Sequence, residues 1–173
     1  SVNRALIIVS GITIFWIIEG IVPFKFHNYR KWKHSIPNFL LTLTTIIVNF
    51  FFAFLLVFAA DWTNENNFGI IHLINSTTLV SVILGLLVLD LIGAYLPHLV
   101  QHKVKLLWYI HIVHHTDHKV DTTTANRHHP FESVVRFIFT FIGIFISGAP
   151  IGLVLMYQSI SVIASQFNHA NIQ

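Results

Sequence analysis

The stretch FLLTLTTIIVNFFFAFLLVFAA, residues 39–60, contains no charged side chain. About 20 consecutive apolar residues suffice to cross the hydrocarbon core of a bilayer as a helix. Asn49 and three threonines are its polar members, and a helix absorbs their backbone groups internally, as a lipid environment demands. Working outward, residues 5–24 carry one charge, Glu19, and residues 77–96 carry one, Asp90. Each has the length and composition of a single crossing. Residues 137–167 carry none, but the run is too long for one upright helix and is interrupted by Gly148-Ala149-Pro150. Gly followed by Pro marks a turn, so the stretch reads as a helical hairpin with arms near 131–147 and 150–167, short enough for a re-entrant pair. The expected fold class is an all-α, polytopic membrane helical bundle.

Composition agrees. Of 173 residues, 10% are charged and 54% are apolar, whereas a soluble domain carries roughly 25% charged residues. The mean hydropathy is +0.70. Such a chain cannot cover a globular surface with its own polar groups, which argues against a soluble enzyme. There is no cysteine, which excludes disulfides, thiolate zinc sites, iron–sulfur clusters and thiolate haem. Histidine is in excess, with 12 residues against 10 Lys+Arg.

Lysine and arginine in the short loops set orientation. Lys25, Arg30, Lys31 and Lys33 follow the first apolar stretch. Asp61 and Glu65, with no basic residue, follow the second. Lys103, Lys105, Lys119 and Arg127 follow the third. This alternation places 25–37 and 97–130 in the cytoplasm and 61–69 outside. Phe24, Phe26, Tyr29 and Trp32 interleave with the first basic group, the pattern of an interfacial anchor on anionic headgroups. The pI of 9.4 has the same origin, so membrane lipids and not nucleic acid are the expected partner. Nearly all histidines then share the cytoplasmic side. His72 faces out, and His169 joins the others only if the last stretch is a hairpin.

Two histidine groups have ligand spacing. In His98-Leu99-Val100-Gln101-His102, the i and i+4 positions differ by about 40° around a helix and point one way. In His111-Ile112-Val113-His114-His115, the i, i+3 and i+4 positions share a face. His169 stands apart, after the hairpin. Neutral imidazole binds iron, zinc and copper. Five imidazoles exceed a tetrahedral zinc and suit either a two-metal centre or two sites. His27, His34, His72 and His118, taken singly, read as structural. Residues 121–132, rich in threonine, read as an ordered loop, with Pro130 opening the next helix and Glu132 at its positive end.

HLVQH at 98–102, LWYIHIVHHTD at 107–117, DTTTANRHHPFE at 121–132 and FNHANI at 167–172 together resemble the fatty acid hydroxylase superfamily, also called the sterol desaturase family. Those enzymes are integral membrane, non-haem diiron proteins with HxxxH, HxxHH and a final HxxHH box. The resemblance covers residues from about 89 onward. It implies a hydroxylase-like domain at 76–173 and N-terminal transmembrane helices with the basic loop at 1–75. Because the last box belongs after the FNHANI-like motif, the chain is expected to be a piece of a longer protein.

By motif, the resemblance implies metal ligation by His98, His102, His111, His114, His115 and His169, the first five being catalytic. It implies supporting roles at the cofactor for Asp90, Asp121, Arg127, His129 and Glu132, with His129 lining the site and Asp90 pairing with a histidine or Arg127. The implied cofactor is iron, two ions per site, with O₂ as co-substrate. The reaction is hydroxylation or desaturation of a C–H bond in a fatty acyl, sterol or related lipid. No GxGxxG or haem or flavin motif is present, so electrons come from an external donor, a cytoplasmic electron-transfer protein. Two other classes use histidines in membranes. A metal-ion transporter places its ligands near the bilayer midplane, but these cluster at one surface. A bis-histidine haem protein needs histidines paired on facing helices inside the bilayer, and His72 and His98 lie at opposite ends of one span.

Overall fold

The computed structural model describes residues 2–26, 29–74 and 77–172. These residues are helical with no strand among them, and their one β-bridge joins Pro23 to Ile172. Helix α1 spans Val2–Ile21. Helix α2 spans Lys31–Glu65, 35 residues. At 1.5 Å per residue that is about 52 Å, well beyond a hydrocarbon core of about 30 Å. The basic segment at 25–37, read from sequence as a loop, is therefore helical from Lys31 onward. Pro37 lies in the second turn, where the missing N–H costs one bond near the end of a long helix. Ser35 and Asn38, buried on this protruding end, pack it against the rest of the protein.

After the short helix α3, Ile70–Leu73, the chain forms one rod. Helix α4, Thr78–Asp90, passes through a π-helical turn, Leu91–Tyr95, into helix α5, Leu96–Lys103. Pro97 explains the widening: it has no N–H for an α-helical bond to the carbonyl four residues back, and the π turn absorbs that loss. Gly93 in this turn lets the rod approach both arms of the hairpin, since a Cβ there would sit 3.2 Å from the Thr140 and Tyr157 hydroxyls. Val104 reverses the chain into helix α6, Lys105–His115. A 3₁₀ turn, Thr122–Asn126, precedes helix α7, Pro130–Ser147, and helix α8, Ile151–His169.

α7 and α8 form the hairpin expected from Gly148-Ala149-Pro150. Gly148 is left-handed, with φ 73°, a conformation that costs glycine little. A Cβ there would also fall 2.4 Å from the Phe68 carbonyl oxygen. His72 Nε2 lies 3.1 Å from the Gly148 carbonyl oxygen, so this histidine pins the turn, as its structural reading implied.

Three segments are long and apolar enough to cross a membrane: Lys31–Leu73, Thr78–Lys103 and Pro130–Ser147. The described apolar part of α1 is Val9–Ile21. Ala59, Ala60, Leu89, Ile144, Leu153 and Val154 form a tight apolar core near the hairpin turn. Most large apolar side chains instead point outward, Phe50, Phe51 and Phe54 among them, as expected where lipid is the solvent. Phe52 differs: it stacks on Phe137 at 4.2 Å, inside the bundle.

Candidate metal centre

The helix spacing works as the histidine patterns require. His98 and His102 share a face of α5, with ring centroids 4.6 Å apart. α6 folds back and presents His111 and His115 to them. His115 Nε2 lies 3.2 Å from both His102 Nε2 and His111 Nε2, and His98 meets His111 at 4.8 Å between rings. Candidate ligand atoms of His98, His102 and His111 all lie within 4.8 Å of one another. Beside them on the same face of α6, 5.2 Å from His115 between rings, His114 Nε2 faces His169 Nε2 at 3.1 Å. The α7–α8 hairpin thus returns His169 to the histidine end. His114 also stacks on His128 at 4.8 Å. The result is two adjoining imidazole groups. His98, His102, His111 and His115 make one, and His114, His128 and His169 the other.

Glu132 connects the two groups. Its carboxylate is fully buried, with Oε2 3.2 Å from His111 Nδ1 and Oε1 2.9 Å from His128 Nδ1. A carboxylate that accepts from Nδ1–H fixes the tautomer and leaves the Nε2 lone pair free, the arrangement that orients metal-binding imidazoles. His169 is held the same way by a backbone oxygen, its Nδ1 lying 2.7 Å from the Ser165 carbonyl. Burial, then the neighbouring His128 and His169, push His114 down to about 3. Burial also lowers His115 and His128. Neutral rings have the lone pairs that a metal needs.

The donor set fits a pair of first-row metal ions. Two imidazole nitrogens on one ion, each at about 2.1 Å, stand about 3.0 to 3.4 Å apart for angles of roughly 90° to 109°. The three Nε2 separations of 3.1 to 3.2 Å fall in this range. An all-nitrogen set supplied by seven imidazoles also suits iron better than calcium or magnesium, which take oxygen.

The surrounding loop is held by buried hydrogen bonds. Asp121 caps the 3₁₀ turn, accepting from Thr123 N at 2.8 Å and Thr123 Oγ1 at 2.6 Å, and its other oxygen accepts from the Tyr29 hydroxyl at 2.8 Å. Burial and the Asp121 contact push the Tyr29 hydroxyl far up. Arg127 donates to the Val113 carbonyl, to Asn38 Oδ1 and to Thr116 Oγ1. It thereby ties the C-terminal end of α6, where the second histidine box ends, to α2. Asp117 accepts from Thr124 Oγ1 at 2.7 Å and pairs with His34 at 3.2 Å.

Some expected residues stand elsewhere. Asp121 and Arg127 brace the loop, their hydrogen bonds going to Thr123 and Tyr29 and to Val113, Asn38 and Thr116. His129 caps α7, its Nδ1 accepting from Phe131 N at 3.2 Å. The neighbouring His128, not His129, enters the cluster. Asp90 is exposed and forms no ion pair with Arg127 or a histidine among the described residues. The adjacent Leu89 faces the core, and about 100° of helical rotation carries Asp90 outward. His27 lies outside the described residues.

Two buried residues had little or no local signal. Asn38 Nδ2 donates to Thr123 Oγ1 at 2.8 Å. Glu19 accepts from Thr122 N, Thr122 Oγ1 and Asn171 N at 2.8 to 3.0 Å and pairs with Lys31 at 2.8 Å. One carboxylate therefore joins α1, α2, the 3₁₀ turn and the segment that follows His169.

A cavity of about 400 Å³ opens among α2, the π turn, α7 and α8. Glu132 and His128 stand at its histidine end. Ile151 and Leu56 stand toward the hairpin turn. Its lining follows α8 from Ile151 to Ser165, about 21 Å at 1.5 Å per residue.

Comparison with known proteins places the sequence that builds this geometry in a family. The family model described as fatty acid hydroxylase matches residues 82–173. Ornithine lipid hydroxylase OlsE of Rhizobium tropici is 24% identical over 91 residues, which is 53% of this chain and 27% of that protein. The chain thus spans about a quarter of that relative's length. No solved structure matches. Matched over more than half its length, in the segment that contains every candidate ligand, and built from membrane-crossing helices, the chain is a membrane protein that belongs to the fatty acid hydroxylase family.

Proposed function

We propose that this chain carries the metal centre and lipid cavity of a membrane-bound, O₂-dependent lipid oxidoreductase that hydroxylates or desaturates a lipid C–H bond. The observation that carries the reading is the juxtaposition of two imidazole groups with the mouth of a long cavity, through the shared residues His128 and Glu132. His98, His102, His111 and His115 would hold one iron, and His114 and His169, with His128, the other. Iron bound there supplies O₂ activation, which zinc, lacking redox chemistry, cannot.

The chain's own residues do the rest. Glu132 holds the Nδ1 protons of His111 and His128, so the rings present Nε2 in fixed orientation. The bundle withdraws a lipid chain from the bilayer and excludes water from it. The proposed centre lies on the cytoplasmic side, which the basic loops support, and a separate electron-transfer protein delivers electrons there. In this reading residues 76–173 form the hydroxylase-like domain, and residues 1–75 supply helices that brace it. The test is growth under ¹⁸O₂ of cells that differ only in this gene, followed by lipid mass spectrometry. A lipid carrying one ¹⁸O, or two hydrogens fewer, in the gene-positive cells alone supports the reading. Identical lipid profiles refute it.

A further inference from the structure

The cavity wall is unlike that of a plain hydrocarbon tunnel. Three helices contribute polar side chains to it from the histidine end to its middle: Asn49 from α2, Arg136 and Thr140 from α7, and Gln158, Ser161 and Ser165 from α8. Toward the hairpin turn the wall is apolar, with Leu56, Ile151, Val154 and Leu155. The direction is unambiguous, because α2 begins beside the 3₁₀ turn, where Asn38 meets Thr123, and ends beside the hairpin turn, where Trp62 meets Phe145.

Arg136 is the decisive member. It lies six residues into α7, about 9 Å along a membrane-crossing helix. A charge at that depth is costly and marks a ligand path. Among the described residues its guanidinium has one ion-pair contact, Nε to Glu132 Oε1 at 3.6 Å, and no hydrogen bond. Glu132 is already engaged by two imidazoles. The Arg136 side chain is 43% exposed, and the cavity is bounded by it. A guanidinium with unused donors matches a carboxylate or another acceptor-rich group.

We propose that this cavity binds a single-chain lipid segment head-first, with an anionic or acceptor-rich headgroup at Arg136 beside the histidines and the alkyl end against Ile151–Leu155. This rests on the lipid-oxidation reading and narrows it: the carbons presented to the metal centre are those nearest the headgroup. Thr140 offers a further hydrogen-bonding group to amide or hydroxyl functions on those carbons.

The experiment measures binding, which needs neither iron nor turnover. The full-length protein in nanodiscs is titrated with tritiated palmitate, and unlabelled palmitate, methyl palmitate and hexadecane compete at matched concentrations in the lipid. Palmitate is expected to compete about tenfold better than its methyl ester, the worth of one charge-assisted hydrogen bond. Arg136→Gln should erase that preference and leave methyl palmitate unchanged, and Arg136→Lys should keep part of it. Palmitate with a diazirine at its chain terminus should label the peptide containing Ile151 and Leu155. This wild-type readout decides the matter even if the variants misfold. Equal competition by acid and ester, or labelling at Ser161–Ser165, would overturn the head-first assignment while leaving a lipid cavity in place. No competition by any of the three would overturn the lipid reading itself.

Discussion

Replacing Glu132 with glutamine is expected to lower metal affinity by about 10- to 100-fold, the usual cost of removing a residue that orients ligating histidines. The carboxylate stands 3.2 Å from Nδ1 of His111 in one imidazole group and 2.9 Å from Nδ1 of His128 in the other. An amide oxygen can still accept once, but the NH₂ beside it opposes the second Nδ1–H. Glu132→Gln therefore frees one ring to rotate or to change tautomer, and occupancy of one of two sites should fall first. The measurement is iron per chain after dialysis against a graded chelator. His128→Ala should lower retention in the same assay. His129→Ala should not, because its ring caps α7; the loss of that cap costs about 1 kcal/mol of stability. Equal retention in the wild type and Glu132→Gln would remove Glu132 from the centre.

Glu19→Ala should be the most destabilising single change outside the histidines. The side chain is 1% exposed and balances Lys31 while accepting three hydrogen bonds. Removing one partner of a buried ion pair costs about 3–5 kcal/mol, and here it also strands the buried Thr122 and the Asn171 amide. Asn171 follows His169 by two residues, so the loss also loosens a candidate ligand. Glu19→Gln keeps the acceptor oxygen and should recover part of the stability, though not the ion pair with Lys31. Thermal unfolding in detergent, with iron retention measured in parallel, checks this. A Glu19→Ala protein as stable as the wild type would show that α1 is not part of the structure that supports the site.

Much of the fold was legible because membranes impose simple length rules and histidines at i, i+3 and i+4 must share a helix face. The hairpin was legible from Gly148 and Pro150. What escaped depends on contacts far apart in sequence. Glu19 meets Thr122 across 103 residues and Asn38 meets Thr123 across 85, and no local pattern reports such partners. A carboxylate near the end of an apolar helix was the one available signal for Glu19. The choice between His128 and His129 was invisible in an adjacent pair. It is settled by Pro130, which biases the preceding residue toward extended backbone. His129 accordingly adopts φ −66°, ψ 140° and becomes the helix cap, which leaves His128 to turn inward. Asp90 failed for a rotational reason, since spacing from the first histidine box does not say which side of the rod faces the bundle once a π turn intervenes.

The two imidazole groups are proposed to form a two-iron centre. Iron quantitation with Mössbauer spectroscopy on the purified full-length protein, expressed with ⁵⁷Fe, tests it most directly. Two irons per chain and a non-haem, exchange-coupled pair of signals are expected, both diminished in His114→Ala. One zinc per chain, a haem spectrum, or iron content unchanged by His114→Ala would contradict it.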